Sequence, residues 1–153
     1  MRLSFRLNGA ERSFEVEDRT LLLDLLRDAG LTGAKPSCEM EVCGACTVLV
    51  DGLPVSACTT LAADADGRHV ETIEGLAQGE RLHPLQEAFV ECFGFQCGFC
   101  TPGMILAAKS LLEHEPHPSP EQIVHWMDGN LCRCTGYQSI LEAIELAAER
   151  TAR

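Results

Sequence analysis

An α+β fold is predicted for this 153-residue chain on three observations. Residues 1–73 carry period-two alternation interrupted by Asn8-Gly9 and Asp51-Gly52, dipeptides that favour tight hairpins. Beyond residue 84 every periodic segment has helical spacing. Between the two lies Glu74–Arg81, with two glycines and no period. The expected organisation is a sheet unit over residues 1–76 and an all-helical unit over residues 77–153.

The elements follow in order. Arg2–Leu7 alternates apolar and polar side chains, Asn8-Gly9 turns the chain, and Ser13–Val16 returns. In Thr20–Ala29, Leu21, Leu22, Leu25 and Leu26 recur one helical turn apart, and Gly30 ends the helix. Residues 34–46 form a loop. Thr47–Val50 and Leu53–Ala57 flank Asp51-Gly52 as a second hairpin, and Pro54 puts the return strand at a sheet edge or a bulge. His69–Ile73 is the last expected strand. Hairpin, helix and further strands around one loop describe a β-grasp sheet.

Four helices are expected in the second unit. The first, about 84–93, has Pro84 in its first turn. The second, about 102–114, has Thr101 as N-cap, Pro102 at the first helical position and Pro116 past its end. The third, about 120–128, opens on a capping box of Ser119 and Gln122. The fourth is about 137–151.

Composition narrows the function. The chain is 46% apolar, enough for a packed core, and its formal charge is −11. Nucleic-acid binding needs a basic footprint and is excluded. No apolar run reaches membrane-spanning length, and no basic-then-apolar leader is expected from Met1 onward. A cytoplasmic location is expected.

Eight of the nine cysteines fall into two sets of four. Cys38, Cys43, Cys46 and Cys58 open with C-x4-C-x2-C, the spacing of plant-type [2Fe–2S] ferredoxins. Cys97 and Cys100 form C-x2-C, and Cys132 and Cys134 form C-x-C further on. Clustered spacings and an odd total speak against a disulfide scaffold. Zinc also takes four thiolates. It fits the first spacing poorly, but taken alone the second set suits it. The second set joins the loop between the first and second helices to that between the third and fourth. Both loops must then lie at one end of a four-helix bundle, with the N-termini of the second and fourth helices facing the ligand set. Helix dipoles there favour an anionic centre. Gly44, Ala45 and Gly98 are small residues between cysteines, where backbone amides can approach sulfur.

Three motifs, taken in order, carry a resemblance. Cys43-Gly44-Ala45-Cys46-Thr47-Val48, Gln96-Cys97-Gly98-Phe99-Cys100-Thr101-Pro102-Gly103-Met104 and Gly129-Asn130-Leu131-Cys132-Arg133-Cys134-Thr135-Gly136-Tyr137 resemble the iron–sulfur subunit of the molybdenum hydroxylases. This is the family of xanthine dehydrogenase, aldehyde oxidoreductase and carbon monoxide dehydrogenase. The likeness spans nearly the whole chain.

The resemblance implies a ferredoxin-like β-grasp domain and a helical domain, each holding one [2Fe–2S] cluster. The ligands would be Cys38, Cys43, Cys46 and Cys58, then Cys97, Cys100, Cys132 and Cys134. It implies no catalytic residue in this chain. A large partner subunit would hold molybdenum on molybdopterin cytosine dinucleotide and hydroxylate the substrate with water-derived oxygen. Electrons would enter through the helical domain, leave through the ferredoxin-like domain and reach a medium subunit with FAD or another acceptor. A dimer of heterotrimers is the implied assembly. Gln96 would hydrogen-bond the pterin, and the Cys134 sulfur would lie near it. Ser37 and Glu41 stand where the family often has glycine, and an inward Glu41 carboxylate would lower the first cluster's potential.

Other residues have plainer readings. Leu85, Phe89 and Cys92 share a helix face, so Cys92 is expected to be a buried inert thiol. His114 and His117 are expected to cap a helix end, and Trp126 to pack in the bundle. Glu11, Glu15, Glu17 and Asp18 make a solvated acidic face. Arg133, between two ligands, has either a structural or a charge-neutralising role. Two competing functions are a free two-cluster ferredoxin and a redox sensor. The substrate is not encoded in this chain.

Overall fold

The computed structural model describes residues 1–151, so the last two positions of the expected helical unit lie outside the described residues. β1 (Arg2–Leu7) and β2 (Ala10–Glu15) pair antiparallel through the Asn8-Gly9 turn. Asn8 and Gly9 both take positive φ, 49° and 84°, which suits the right-handed twist of the flanking strands. β2 begins at Ala10 rather than Ser13, because the two-residue turn lets pairing resume at once. β3 (Thr47–Val50) and β4 (Leu53–Ser56) form the second hairpin, and β5 (His69–Glu71) runs parallel to β1 and antiparallel to β3. The sheet order is β2-β1-β5-β3-β4, which puts β4 and its Pro54 at an edge, where a missing N–H costs nothing. The expected strand to Ile73 stops at Glu71, and residues 73–75 make a 3-10 turn.

α1 (Leu22–Asp28) buries Leu22, Leu23, Leu25 and Leu26 against Leu3, Phe5 and Leu7 on the inner face of β1. The Phe5 and Phe14 rings stack 5.2 Å apart in the same core. The sheet folded over this helix is the expected β-grasp. All four residues of β3 are buried. Val48 and Val50 belong to the core under α1, so Thr47 and Leu49 point to the opposite face. There α3 (Thr101–His114) packs on β3. Burial on both sides explains why this strand reads Thr-Val-Leu-Val without alternation.

The second half holds α2 (Pro84–Glu91), α3, α4 (Pro120–Met127) and α5 (Gln138–Thr151), with α2 against α5 and α3 against α4. Leu85, Phe89, Met104, Ile123, Ile140 and Ile144 fill the bundle, and Ala143 and Ala147 let the backbones approach. The Ser119–Gln122 capping box forms as expected, and His83 and Gln86 make a second one on α2. Trp126 packs in the bundle and donates its indole N–H to the Ala107 carbonyl at 3.0 Å. His114 reaches back to the Ser110 carbonyl in the last turn of α3. Cys92 is half-buried, and burial pushes its thiol above the ordinary value.

Thr101 is not the cap of α3. The turn is already helical at Cys100, which takes the cap position, while the Thr101 hydroxyl is buried without a hydrogen-bond partner among the described residues. The connection 74–81 is ordered against both halves. Leu76 sits in the helical core, and the Glu74 carboxylate accepts the Gly33 N–H at 2.7 Å. Lys109 of α3 ties the halves further, donating to Glu71 at 2.9 Å and to Glu113 at 2.6 Å. The Ser110 hydroxyl donates to the Gly52 carbonyl at 2.7 Å. Among the described residues no helix is long and apolar enough to cross a membrane.

Candidate metal centres

The first cysteine loop leaves α1, is pinned by Arg27 donating to the Thr32 and Ala34 carbonyls, and ends where β3 begins. It brings Cys38 and Cys43 within hydrogen-bonding reach of each other, and likewise Cys46 and Cys58, with Cys43 close enough to Cys46 for their charges to interact. Cys58 arrives from the far side, just past the end of β4. The second set assembles the same way. Cys97 meets Cys134, and Cys100 meets Cys132, from the loops before α3 and α5. All eight expected ligand cysteines thus gather into two groups of four, and Cys92 stays apart from both.

The thiols differ in what surrounds them. Backbone amides of Met40, Val42 and Cys43 aim at the Cys38 sulfur and pull its thiol down to about 6. The Val42 and Cys43 amides reach it at 3.4 Å. Cys132 receives the Thr135 hydroxyl at 3.1 Å and its amide at 3.4 Å. Burial works against ionisation there, yet these donors hold its thiol below the ordinary value. Cys97 is lowered chiefly by the Phe99 amide. Burial pushes Cys46 and Cys100 up to about 12. A bare thiolate at those two positions is costly, and a bound cation reverses that cost.

These features fit [2Fe–2S] groups. Sulfurs pair two by two, and amides point at them. Among the described residues no three such side chains converge as around a single metal ion.

The two loops touch. The Leu131 amide donates to the Cys43 carbonyl at 2.9 Å, so each end of this bond is within one residue of a cysteine in a different set. Asn130, buried, donates to the Gly44 carbonyl and to the Thr47 hydroxyl, each at 3.2 Å. Gly44 has φ +69°, and a side chain there would strike Asn130 and Gly129. Gly103 in the first turn of α3 lies against the Gly44 carbonyl, where a side chain would collide. Gly44 thus serves close approach by the second loop, a role the spacing of its neighbouring cysteines did not reveal.

Gln96 and Cys134 are both exposed, on the same end of the bundle. Phe93, Phe95 and Phe99 are exposed close by in the chain. Glu41 lies at φ +61° with its side chain at the surface, 3.5 Å from the Thr59 hydroxyl. A glycine at that position would be free of strain. Sequence reasoning assigned no role to Asn130, Thr135 or the Leu131 amide. All three lie inside the motif around Cys132, but the partners of Asn130 and Leu131 are remote in sequence.

Comparison with known proteins agrees with this geometry. Residues 5–77 match the 2Fe–2S iron–sulfur cluster binding domain family, and residues 72–145 match the [2Fe–2S] binding domain family. The chain is 50% identical to the small subunit of nicotine 6-hydroxylase from Paenarthrobacter nicotinovorans, over 93% of this chain and 86% of that one. It is 49% identical to the small FeS subunit of nicotinate dehydrogenase from Eubacterium barkeri, over 98% and 96%. Quinoline 2-oxidoreductase from Pseudomonas putida 86 contains a chain that superposes with a TM-score of 0.96 at 50% identity, covering 100% of this chain and 96% of that one. The aldehyde oxidoreductase of Desulfovibrio gigas superposes with a TM-score of 0.95 at 45% identity, over 99% of this chain but 17% of its own length. The chain belongs to the family of small iron–sulfur subunits of the molybdenum hydroxylases.

Proposed function

We propose that this chain conducts electrons from a molybdopterin-bearing large subunit to a second acceptor, using two [2Fe–2S] centres. Cys38, Cys43, Cys46 and Cys58 would hold the first, and Cys97, Cys100, Cys132 and Cys134 the second. Each group, when bound, supplies a one-electron acceptor that gains a negative charge on reduction. The chain's own residues set the surroundings. The Cys38 and Cys132 sulfurs sit among amide and hydroxyl donors that favour negative charge. The observation that carries the reading is the Leu131–Cys43 backbone bond, which joins the two cysteine loops. A free ferredoxin or a sensor would also hold its clusters, but the relatives named as small subunits support the subunit reading.

The finer reading assigns Gln96 as a hydrogen-bond partner of molybdopterin cytosine dinucleotide and places the Cys134 sulfur near it. Their shared exposure at the bundle end supports this. The helical half then faces the large subunit, and the sheet half faces outward, toward a medium subunit with FAD. Units 1–76 and 77–153, a dimer of heterotrimers and a cytoplasmic location complete the proposal. Relatives named as small subunits support the multi-subunit part. The test is iron analysis and electron paramagnetic resonance of anaerobically purified protein. About four irons per chain and two distinct [2Fe–2S] signals are expected. A ratio near two irons, or stoichiometric zinc, refutes it. Gln96→Ala should keep both signals but slow reduction of the second by substrate. Normal reduction in this variant removes the Gln96 role.

A further inference from the structure

Lys35 stands at the seam between the two cysteine sets. Its backbone N–H donates to the Ala45 carbonyl of the first loop at 3.1 Å. Its ammonium lies 5.7 Å from the centre of the Phe99 ring, inside the Cys97–Cys100 turn of the second. The nitrogen donates to the Gly33 carbonyl at 2.9 Å, which fixes the side chain in place. The charges that bear on it are Glu74, Arg27 and Cys100. Glu74 accepts the Gly33 amide and Arg27 donates to the Thr32 and Ala34 carbonyls; both keep their charge, but neither is in an ion pair with the Lys35 ammonium. Among the described residues Lys35 makes no direct ion pair. A half-buried ammonium without a carboxylate in contact projects its field onto what lies nearby.

We propose that Lys35 is a positioning residue whose positive charge raises the reduction potential of the Cys97–Cys134 centre relative to the Cys38–Cys58 centre. The inference rests on the two-centre reading above. Reduction adds one negative charge to a centre, and a fixed cation close by stabilises the reduced form. The nearer centre feels more. The Lys35 side chain reaches Phe99, inside the Cys97–Cys100 turn, whereas its hydrogen bond to the first loop, at Ala45, is made by the backbone N–H. The lysine is half-buried, so its charge is screened less than that of a fully exposed ammonium.

The experiment is a redox titration of the cluster-loaded protein, in the complex in which it purifies, followed by the two resonance signals. Lys35→Met keeps the apolar stem over Phe99 and removes the charge. Lys35→Gln is a second neutral variant, and Lys35→Arg keeps the charge. In both neutral variants the second midpoint should fall and the first should fall less. At the potential that half-reduces the second centre of the unmodified protein, its reduced fraction should drop severalfold. Lys35→Arg should restore it. Unmoved midpoints in the neutral variants, a larger fall at the first centre, or an equal fall in Lys35→Arg overturns the proposal. A missing second signal in the unmodified protein removes this proposal together with the reading it rests on, whereas an unmoved midpoint removes only this one.

Discussion

Asn130 is the side chain that locks the two cysteine loops together, and its replacement has a calculable cost. It is 7% exposed and donates two hydrogen bonds, to the Gly44 carbonyl and the Thr47 hydroxyl. Asn130→Ala removes both. Each such bond contributes about 0.5–1.5 kcal/mol, so a loss of about 1–3 kcal/mol is expected. The Gly44 carbonyl is not orphaned, because the Thr47 amide and hydroxyl still reach it. Asn130→Asp has the same shape and opposite chemistry. It buries a carboxylate against a carbonyl oxygen, and an uncompensated buried charge costs about 3–5 kcal/mol. For a chain of this size each kcal/mol moves the melting temperature by about 2–4 °C. Calorimetry of the iron-loaded protein should therefore show a fall of roughly 2–12 °C for Asn130→Ala and a larger one for Asn130→Asp. Both variants should also weaken the magnetic interaction between the two reduced signals, since the Leu131–Cys43 bond loses its neighbour. Asn130→Asp as stable as Asn130→Ala, or an unchanged melting point in both, refutes the reasoning.

Three further outcomes are expected. Cys92→Ser should retain both iron signals, while Cys100→Ser should lose the second and much of the bundle's stability, because ligation closes four helices at one end. Resonance spectra of the two variants check this, and a lost signal in Cys92→Ser would overturn the ligand assignment. Glu41→Gly should raise the melting temperature by about 2–4 °C, since relief of a left-handed non-glycine residue is worth about 1 kcal/mol; a fall would show that the Glu41 side chain contributes more than its backbone costs. The His83 ring accepts the Leu85 amide through Nδ1 at 3.2 Å, and burial, then Lys109, lowers its titration from the ordinary 6.5. A histidine depressed in the folded state adds stability above its unfolded value and loses it as the pH falls through its folded one. The holo protein should weaken on acidification below about 6.5 by about 1 kcal/mol, the worth of an N-cap, and His83→Asn should flatten that dependence. An unchanged pH profile in His83→Asn would exclude the cap as its source.

Much of the fold was legible because its signals are local. Asn8-Gly9 and Asp51-Gly52 mark their own turns, the leucines of α1 mark one helix face, and Ser119 with Gln122 marks a cap. The cysteine quartets were legible for the same reason, since C-x4-C-x2-C and C-x2-C report on single loops. What stayed hidden depends on partners far apart in the chain. Asn130 meets Gly44 across 86 positions, and Lys109 meets Glu71 across 38. Thr101 was misplaced because its neighbour Cys100 had already entered the helix, which no propensity scale records. The roles of Lys35 and Gly44 likewise arise only when the second loop closes over the first.

The double burial of β3 also governs how the molecule comes into being. Thr47 and Leu49 are covered by α3, which is synthesised long after the strand. At ribosomal rates the sheet waits roughly 3–12 s for that cover, with one greasy side bare to the cell. The first cysteine loop is equally unfinished over that interval, since the asparagine that backs Gly44 emerges later still. The contacts that close the first cysteine loop from outside therefore form only after most of the helical half has been made.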